Sequence, residues 1–146
     1  MSSLMLTLRE SVRYRGRGGH YSWIAHRLAG LGILAFLVIH VWETAMVTYN
    51  PPVYEFAIAI FKHPLFGASE IGLMGAVLFH AFNGIRITIL DYKPELWRHQ
   101  AKSVQIVTVL FLVVFIPIAI YMFSGIISHC SHAAESCWAF PTFPSN

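Results

Sequence analysis

The sequence predicts an all-α integral membrane protein with three transmembrane helices. Of its 146 residues, 56% are hydrophobic and 12% are charged, which is about half the charged fraction of an ordinary soluble domain. Three apolar stretches are each long enough to cross a hydrocarbon core of ~30 Å, which takes ~20 helical residues. This composition excludes a soluble enzyme with an ordinary core and a disordered tail protein. Most of the net charge of +3 comes from one short stretch, which argues against a nucleic-acid binder.

The first predicted span runs from about Ser22 to Val47 and follows a basic arm, residues 1–21. The arm lacks a continuous apolar segment, so we do not expect it to be a signal peptide. Polar side chains interrupt the span at His26, Arg27, His40 and Glu43. Ionisable residues are costly inside a bilayer, and those that occur there are functional candidates.

The second predicted span runs from about Ile71 to Leu90, and the third from Val104 to Ile127. The third span has no charged residue, and its Pro117 is tolerable because neighbouring membrane helices can satisfy the freed carbonyl. Between the first two spans, the apolar residues from Tyr54 to Phe61 predict a short helix on the outer surface. Residues 22–127 are therefore expected to form the transmembrane domain, with residues 128–146 as an outer-side tail.

The distribution of Lys and Arg predicts the orientation. Outside the spans, seven of these residues lie in the basic arm or between the second and third spans, against one in the first connection. The seven are Arg9, Arg13, Arg15, Arg17, Lys93, Arg98 and Lys102, and the one is Lys62. Inner loops are enriched in Lys and Arg, so we expect the N-terminus inside and the C-terminus outside a cytoplasmic membrane. Anionic lipids of the inner leaflet would hold the arm close.

Two similar motifs lie in the first and second spans: His26-Arg27-Leu28-Ala29-Gly30 and His80-Ala81-Phe82-Asn83-Gly84. A His and a Gly four residues apart share one helix face, and the glycine leaves room for a flat group or a second backbone. His80 lies eleven residues before Asp91, which is ~16 Å along the axis and near mid-membrane if Asp91 marks the inner interface.

A haem pocket is one interpretation of these residues. Neutral imidazole is a common axial ligand of haem iron. Arg27 and Arg86 lie on the inner side of His80 and suit the anionic propionates of a tetrapyrrole, because Arg pairs well with carboxylates. The alternative is that His80 only bridges helices and that both arginines reach toward the inner headgroups.

At these residues the sequence resembles the C subunit, the cytochrome b-type membrane anchor, of succinate:quinone oxidoreductase (succinate dehydrogenase, complex II). The family motif Ser-x-x-His-Arg-x-(Ser/Thr)-Gly is matched at His26, Arg27 and Gly30. The second motif, His-x-x-x-Gly-x-Arg followed by Asp, is matched at His80, Gly84, Arg86 and Asp91. The resemblance covers about Tyr21 to Tyr92. Trp23 stands where the motif serine is expected, with Ser22 one position early, and Ala29 replaces the usual hydroxyl residue.

The resemblance implies that His80 is an axial ligand of haem b, with the other ligand on a second anchor subunit. It places His26 and Arg86 near the haem propionates and Gly84 where the haem approaches. A second set, Arg27 with Ser22 and Trp23, would hold the quinone, ubiquinone or menaquinone. Soluble flavoprotein and iron–sulfur subunits would oxidise succinate and deliver the electrons, so this chain would carry no catalytic residue for succinate.

Three further features each have two interpretations. His40 would ligate a second, outer haem, or would hydrogen-bond Glu43 or a loop carbonyl. Asp91 would relay protons to the quinone, or would form a salt bridge with Arg86 or Lys93, which we favour slightly. In the tail, a Cys/His metal site is disfavoured because the spacing matches no standard zinc pattern. If the tail lies outside, Cys130 and Cys137 are expected to form a disulfide, with two free thiols as the alternative.

Two other functions compete with this prediction. The chain could be a haem-free scaffold that only docks a peripheral complex, or a free-standing small cytochrome b. The second would need both axial ligands from one chain, and the estimated depths of His26 and His80 differ by ~10 Å, which disfavours their pairing. The sequence leaves open the number of haems, the quinone species and the favoured direction between succinate oxidation and fumarate reduction.

Overall fold

Helices make up almost all of the part of the chain that the computed structural model describes, which is Met5, residues 18–132 and residues 137–142. Their order is α1 (Gly18–Tyr49), α2 (Pro51–Phe61), α3 (Pro64–Tyr92), a 3₁₀ turn (Pro94–His99) and α4 (Gln100–His132). Three segments are long and apolar enough to cross a membrane: α1, α3 and the 3₁₀ turn with α4. The predicted all-α, three-span architecture is thus confirmed.

Prolines set the boundaries between the helices. Pro51 and Pro64 stand at the starts of α2 and α3, where the missing N–H has no helical partner to lose. His63 precedes α3 as its N-cap, and its Nδ1 accepts the backbone N–H of Leu65 at 3.2 Å. Pro94 separates α3 from the 3₁₀ turn. The helix predicted between the first two spans is present as α2.

The helices extend beyond the predicted spans. α1 begins at Gly18 rather than Ser22, and α3 begins at Pro64 rather than Ile71. α4 runs on to His132, so the first residues of the predicted tail are helical. Hydropathy detects the apolar middle of a membrane helix, whereas the helix itself ends only where the backbone is stopped or capped. Of the predicted basic arm, residues 1–4 and 6–17 lie outside the described part.

α3 lies between α1 and α4 and packs against both. Small residues on α3 allow α4 to come close: a Cβ added at Gly75 would lie 3.0 Å from the ring of Phe115, and one at Gly67 would lie 2.9 Å from Ile126. Such contacts are the usual way in which membrane helices pack, because lipid supplies no hydrophobic force between them.

Burial in the described part is the reverse of that in a soluble domain. The buried side chains are mostly polar: Ser22, Glu43, His63, Asn83 and Arg86. Large apolar side chains along α1 and α4, such as Leu31 and Ile120, are more than 60% exposed. Lipid or a partner protein must cover this apolar surface, and the polar groups are turned inward away from it.

A disulfide closes the end of the bundle that contains the C-terminus of α4. It joins Cys130 and Cys137, whose Cα atoms are 5.2 Å apart, as the sequence favoured. The tail then folds back so that the ring of Phe140 stacks on His63, with centroids 4.2 Å apart. No group of three metal-ligating side chains occurs within residues 18–132 and 137–142, so the alternative of a tail metal site gains no support there.

Candidate functional site

The two His-containing motifs meet where α1 crosses α3. The rings of His26 and His80 are stacked, with centroids 3.9 Å apart and planes 7° apart. The predicted difference of ~10 Å between their depths is therefore wrong. That estimate took Ser22 as the inner end of the first helix, whereas α1 begins one turn earlier, at Gly18, and its start is not level with the end of α3.

Each histidine packs on the glycine of the opposite motif. A Cβ at Gly30 would lie 2.9 Å from Cε1 of His80, closer than real Cβ contacts allow. A Cβ at Gly84 would lie 3.5 Å from Cε1 of His26, which is ordinary van der Waals contact. Because α1 and α3 run antiparallel, a His-x-x-x-Gly motif on each produces this reciprocal arrangement. The glycine that gives His80 its space is therefore Gly30 on the neighbouring helix, whereas Gly84 faces His26.

A hydrogen bond to the backbone fixes the tautomer of His80. Its Nδ1 lies 3.1 Å from the backbone oxygen of His26. A carbonyl oxygen only accepts, so Nδ1 carries the proton and donates it, and Nε2 keeps its lone pair. This carbonyl points along α1 toward Gly30, and the absent side chain there lets the imidazole reach it. Among the described residues, Nε2 has no hydrogen-bond partner.

One turn closer to the start of α1, a buried polar pair joins the same two helices. The Ser22 hydroxyl donates to Oδ1 of Asn83 at 2.7 Å, and Nδ2 of Asn83 lies 3.4 Å from the backbone oxygen of Ser22. Asn83 is completely buried. This geometry favours a packing role for Ser22 over the predicted quinone contact. Asn83 is part of the second His-containing motif, but no role was predicted for it.

His26 and Arg86 each have buried polar atoms without a hydrogen-bond partner in the described part of the chain. These atoms are Nδ1 of His26, and Nε and Nη1 of Arg86. Arg86 is only 7% exposed. A buried guanidinium without an acceptor costs several kcal/mol, so an anionic group from beyond the described residues is expected to complete the site.

Arg27 lies on a different face of α1 from this buried cluster. It is exposed, and its Cζ lies 3.9 Å from the centroid of the Trp23 ring, in a cation–π contact. Five residues separate it from Ser22, which is about 140° around the helix. The structure therefore keeps Arg27 and Trp23 together and separates both from Ser22.

The two remaining candidates lie at opposite ends of the spans. His40 is exposed and stacks on Phe36, with centroids 5.4 Å apart, and no His40–Glu43 hydrogen bond occurs in the described structure. Asp91 is exposed at the end of α3. The expected salt bridge between Asp91 and Arg86 or Lys93 is not formed within residues 18–132. The reason is that Arg86 is turned into the helix packing while Asp91 faces outward.

Comparison with known proteins identifies the family of this site. Residues 8–120 match the family described as succinate dehydrogenase/fumarate reductase transmembrane subunit. The chain is 41% identical over 104 residues to the succinate dehydrogenase 2 membrane subunit SdhC of Mycobacterium tuberculosis, covering 71% of this chain and 76% of the relative. It is 31% identical over 94 residues to a succinate dehydrogenase hydrophobic membrane anchor subunit of Archaeoglobus fulgidus, covering 64% and 80% of the two chains.

The family match spans α1, α3 and most of α4, and so includes both His-x-x-x-Gly motifs. Three apolar helices with polar residues buried between two of them agree with a subunit that functions within the bilayer. The chain belongs to the family of succinate dehydrogenase and fumarate reductase transmembrane subunits, as a membrane anchor of the succinate dehydrogenase type.

Proposed function

We propose that this anchor binds haem b and quinone and passes electrons from the iron–sulfur subunit to membrane quinone. The observation that carries the proposal is the contact between Nδ1 of His80 and the backbone oxygen of His26, 3.1 Å away. Histidines that ligate metals usually donate their other ring N–H to a carbonyl or carboxylate, which fixes the ring and makes it more basic. The same hydrogen bond joins α3 to α1, as the helix-bridging alternative also expects, and it is Nε2, unpaired among the described residues, that favours a metal ligand over a simple bridge.

The second axial ligand is proposed to come from a second anchor subunit. The two axial imidazoles of one iron approach it from opposite sides. His26 and His80 instead lie face to face at 3.9 Å, so this pair does not have the geometry of two ligands to a single iron. A free-standing cytochrome b would have to take both ligands from this chain, and the anchor function is favoured over it for that reason.

The unpartnered atoms beside the histidines fit the propionates of haem b. Nδ1 of His26 and the Nε and Nη1 of Arg86 have no partner among the described residues, and Arg pairs well with carboxylates. Haem b, when bound, supplies a one-electron carrier. The residues of this chain would hold its iron at Nε2 of His80 and balance its negative charge at Arg86. A haem-free scaffold would need the partner anchor to supply acceptors for these atoms instead.

Arg27 is proposed to bind the quinone headgroup. Its guanidinium is exposed on α1 beside Trp23, near the end of the bundle that carries the basic arm. Ubiquinone and menaquinone both present carbonyl oxygens, which gain negative charge as two electrons and two protons arrive. A fixed guanidinium stabilises that charge as it develops. Asp91, which is exposed and has no ion pair within residues 18–132, is proposed to help deliver protons from the inner surface.

The proposed assembly places the second anchor subunit against the apolar face of α1, and the iron–sulfur and flavoprotein subunits at the inner surface. The exposed apolar residues of α1, such as Leu31 and Val38, require a cover of protein or lipid. The flavoprotein would oxidise succinate, and the iron–sulfur subunit would carry the electrons to this anchor. The proposed location is the cytoplasmic membrane, with the N-terminus inside.

The test is the spectrum of the purified complex. The wild-type complex is expected to give a reduced-minus-oxidised haem b spectrum of a low-spin iron, with a measurable haem-to-flavin ratio. His80→Ala should abolish the low-spin signal or convert it to a high-spin one. His129→Ala, which removes an exposed histidine at the end of α4, is the matched control and should keep the wild-type spectrum.

Two results would contradict the proposal. A wild-type complex without Soret absorbance would favour the haem-free scaffold, and an unchanged low-spin signal in His80→Ala would move the axial ligand elsewhere. His40→Ala measures the number of haems: it should leave the haem-to-flavin ratio unchanged for one haem and halve it if an outer haem is ligated there.

A further inference from the structure

Three side chains form a stack along the exposed face of α1 near its N-terminus. Cζ of Arg27 lies 3.9 Å from the centroid of the Trp23 ring. The ring of His20 lies nearly parallel to that of Trp23, with planes 16° apart and centroids 6.2 Å apart. Residues three and four positions apart share one face of a helix, so the indole has an imidazole one turn before it and a guanidinium one turn after it.

Trp23 and Arg27 are the exposed members of this stack, and His20 is half-buried. Trp23 is 43% exposed and Arg27 is also exposed, whereas Ser22 and His26 face α3. An exposed arginine has a long, flexible side chain that samples many rotamers. Only some of these rotamers place the guanidinium where it can bind a quinone oxygen. The indole ring selects among those positions because the cation is attracted to its π face.

The cation–π contact also leaves the arginine able to bind. It engages the face of the ring and uses none of the five N–H donors of the guanidinium. All of them remain available for a carbonyl oxygen that approaches from outside the stack. An interfacial anchoring role for Trp23 does not require a cation–π contact with the arginine one turn away.

We infer that Trp23 is a positioning residue: its ring holds the guanidinium of Arg27 in the place where the quinone oxygen binds. The inference rests on the proposed role of Arg27 in quinone reduction. It also accounts for Trp23 at the position where the family motif has a serine, since Ser22 is turned toward Asn83 and does not reach the face occupied by Arg27.

The experiment uses the intact complex and compares Trp23→Ala, Trp23→Phe, Arg27→Ala and the double variant Trp23→Ala/Arg27→Ala. Quinone KM and kcat are measured with a short-chain quinone. Rates are divided by succinate oxidation with a soluble dye in the same sample, which corrects for differences in assembly. Trp42→Ala is the control, because Trp42 is a tryptophan on the same helix with 57% of its surface exposed.

Trp23→Ala is expected to raise the quinone KM about two- to fivefold, the range that corresponds to a cation–π contact at an exposed site. Trp23→Phe keeps an aromatic face and should recover most of the wild-type KM. In the Arg27→Ala background, Trp23→Ala should have no further effect, because the group that it positions is gone. Trp42→Ala should match the wild type.

Different failures have different meanings. A wild-type KM in Trp23→Ala, together with a strong effect of Arg27→Ala, would overturn the positioning role and leave the proposed quinone site standing. A further loss from Trp23→Ala in the Arg27→Ala background would also overturn it, because Trp23 would then contact the quinone itself. Unchanged quinone kinetics in Arg27→Ala would overturn the proposed quinone site and the inference together.

Discussion

At the residue scale, the chemistry of His80 is controlled by atoms of the neighbouring helix. The backbone oxygen of His26 accepts its Nδ1 proton, and the missing side chain of Gly30 allows the ring to approach. Gly30 and Gly84 have equivalent places in the two motifs but different surroundings. The space at Gly30 is filled by His80, while the space at Gly84 would admit one more methyl group.

This difference predicts opposite results for two similar substitutions. Gly30→Ala should displace His80, because the added Cβ would lie 2.9 Å from Cε1, and haem retention should fall about 10- to 100-fold, as for other losses of support around a metal ligand. Gly84→Ala, with its Cβ 3.5 Å from His26, should retain haem and gain slightly in helix stability. Haem content and the low-spin spectrum of each purified complex give the answer. An equal loss in both variants would argue against the role of Gly30.

At the scale of elements, polar contacts are buried between α1 and α3. Ser22 and Asn83 form a reciprocal pair that is buried between the two helices. Interhelical hydrogen bonds in membranes contribute about 0.6 kcal/mol on average, and up to ~1.7 kcal/mol. A pair with two contacts and complete burial of Asn83 belongs in the upper part of that range.

A double-mutant cycle should detect this coupling. Ser22→Ala and Asn83→Ala are each expected to lower the thermal stability of the complex in detergent, and the double variant should lose less than the sum, with a coupling of about 1 kcal/mol. Thr88→Ala is the control, because its exposed hydroxyl donates only to the backbone oxygen of Gly84 in its own helix. Additive losses would mean that the two side chains act independently.

At the scale of the whole molecule, the buried polar cluster and the exposed apolar surface together indicate a subunit that is incomplete alone. Arg86 and His26 have polar atoms without a partner in the described part, and apolar side chains cover the outside of the helices. A partner anchor and the lipid bilayer would satisfy the two requirements at once. The seven-to-one distribution of Lys and Arg predicts the orientation of the subunit in that bilayer.

Cysteine labelling tests the orientation. In a variant that lacks Cys130 and Cys137, Ser3→Cys is expected to react with a membrane-impermeant reagent only from the inner side and Ser145→Cys only from the outer side. Three spans place the two termini on opposite sides of the membrane. Reaction of both positions from the same side would contradict the three-span topology.

The sequence by itself determined the fold class, the three spans, the short helix between the first two and the family motifs. It could do so because hydropathy over ~20 residues and the spacing of His and Gly within one helix are local properties. Boundaries were less accurate, since helix ends depend on caps and prolines rather than on hydropathy. The disulfide between Cys130 and Cys137 was also anticipated, from the pairing of two cysteines in a predicted outer tail.

Only the tertiary structure decided which residues meet across α1 and α3. Three contacts depend on the relative depth and rotation of these two helices. They are the stacking of His26 on His80, the hydrogen bond from His80 to a backbone oxygen, and the contact of Ser22 with Asn83. A shift of one residue changes depth by 1.5 Å and rotation by 100°, and no pattern within a single helix specifies its register against another. The packing of Gly30 and Gly84 against the opposite rings supplies that register.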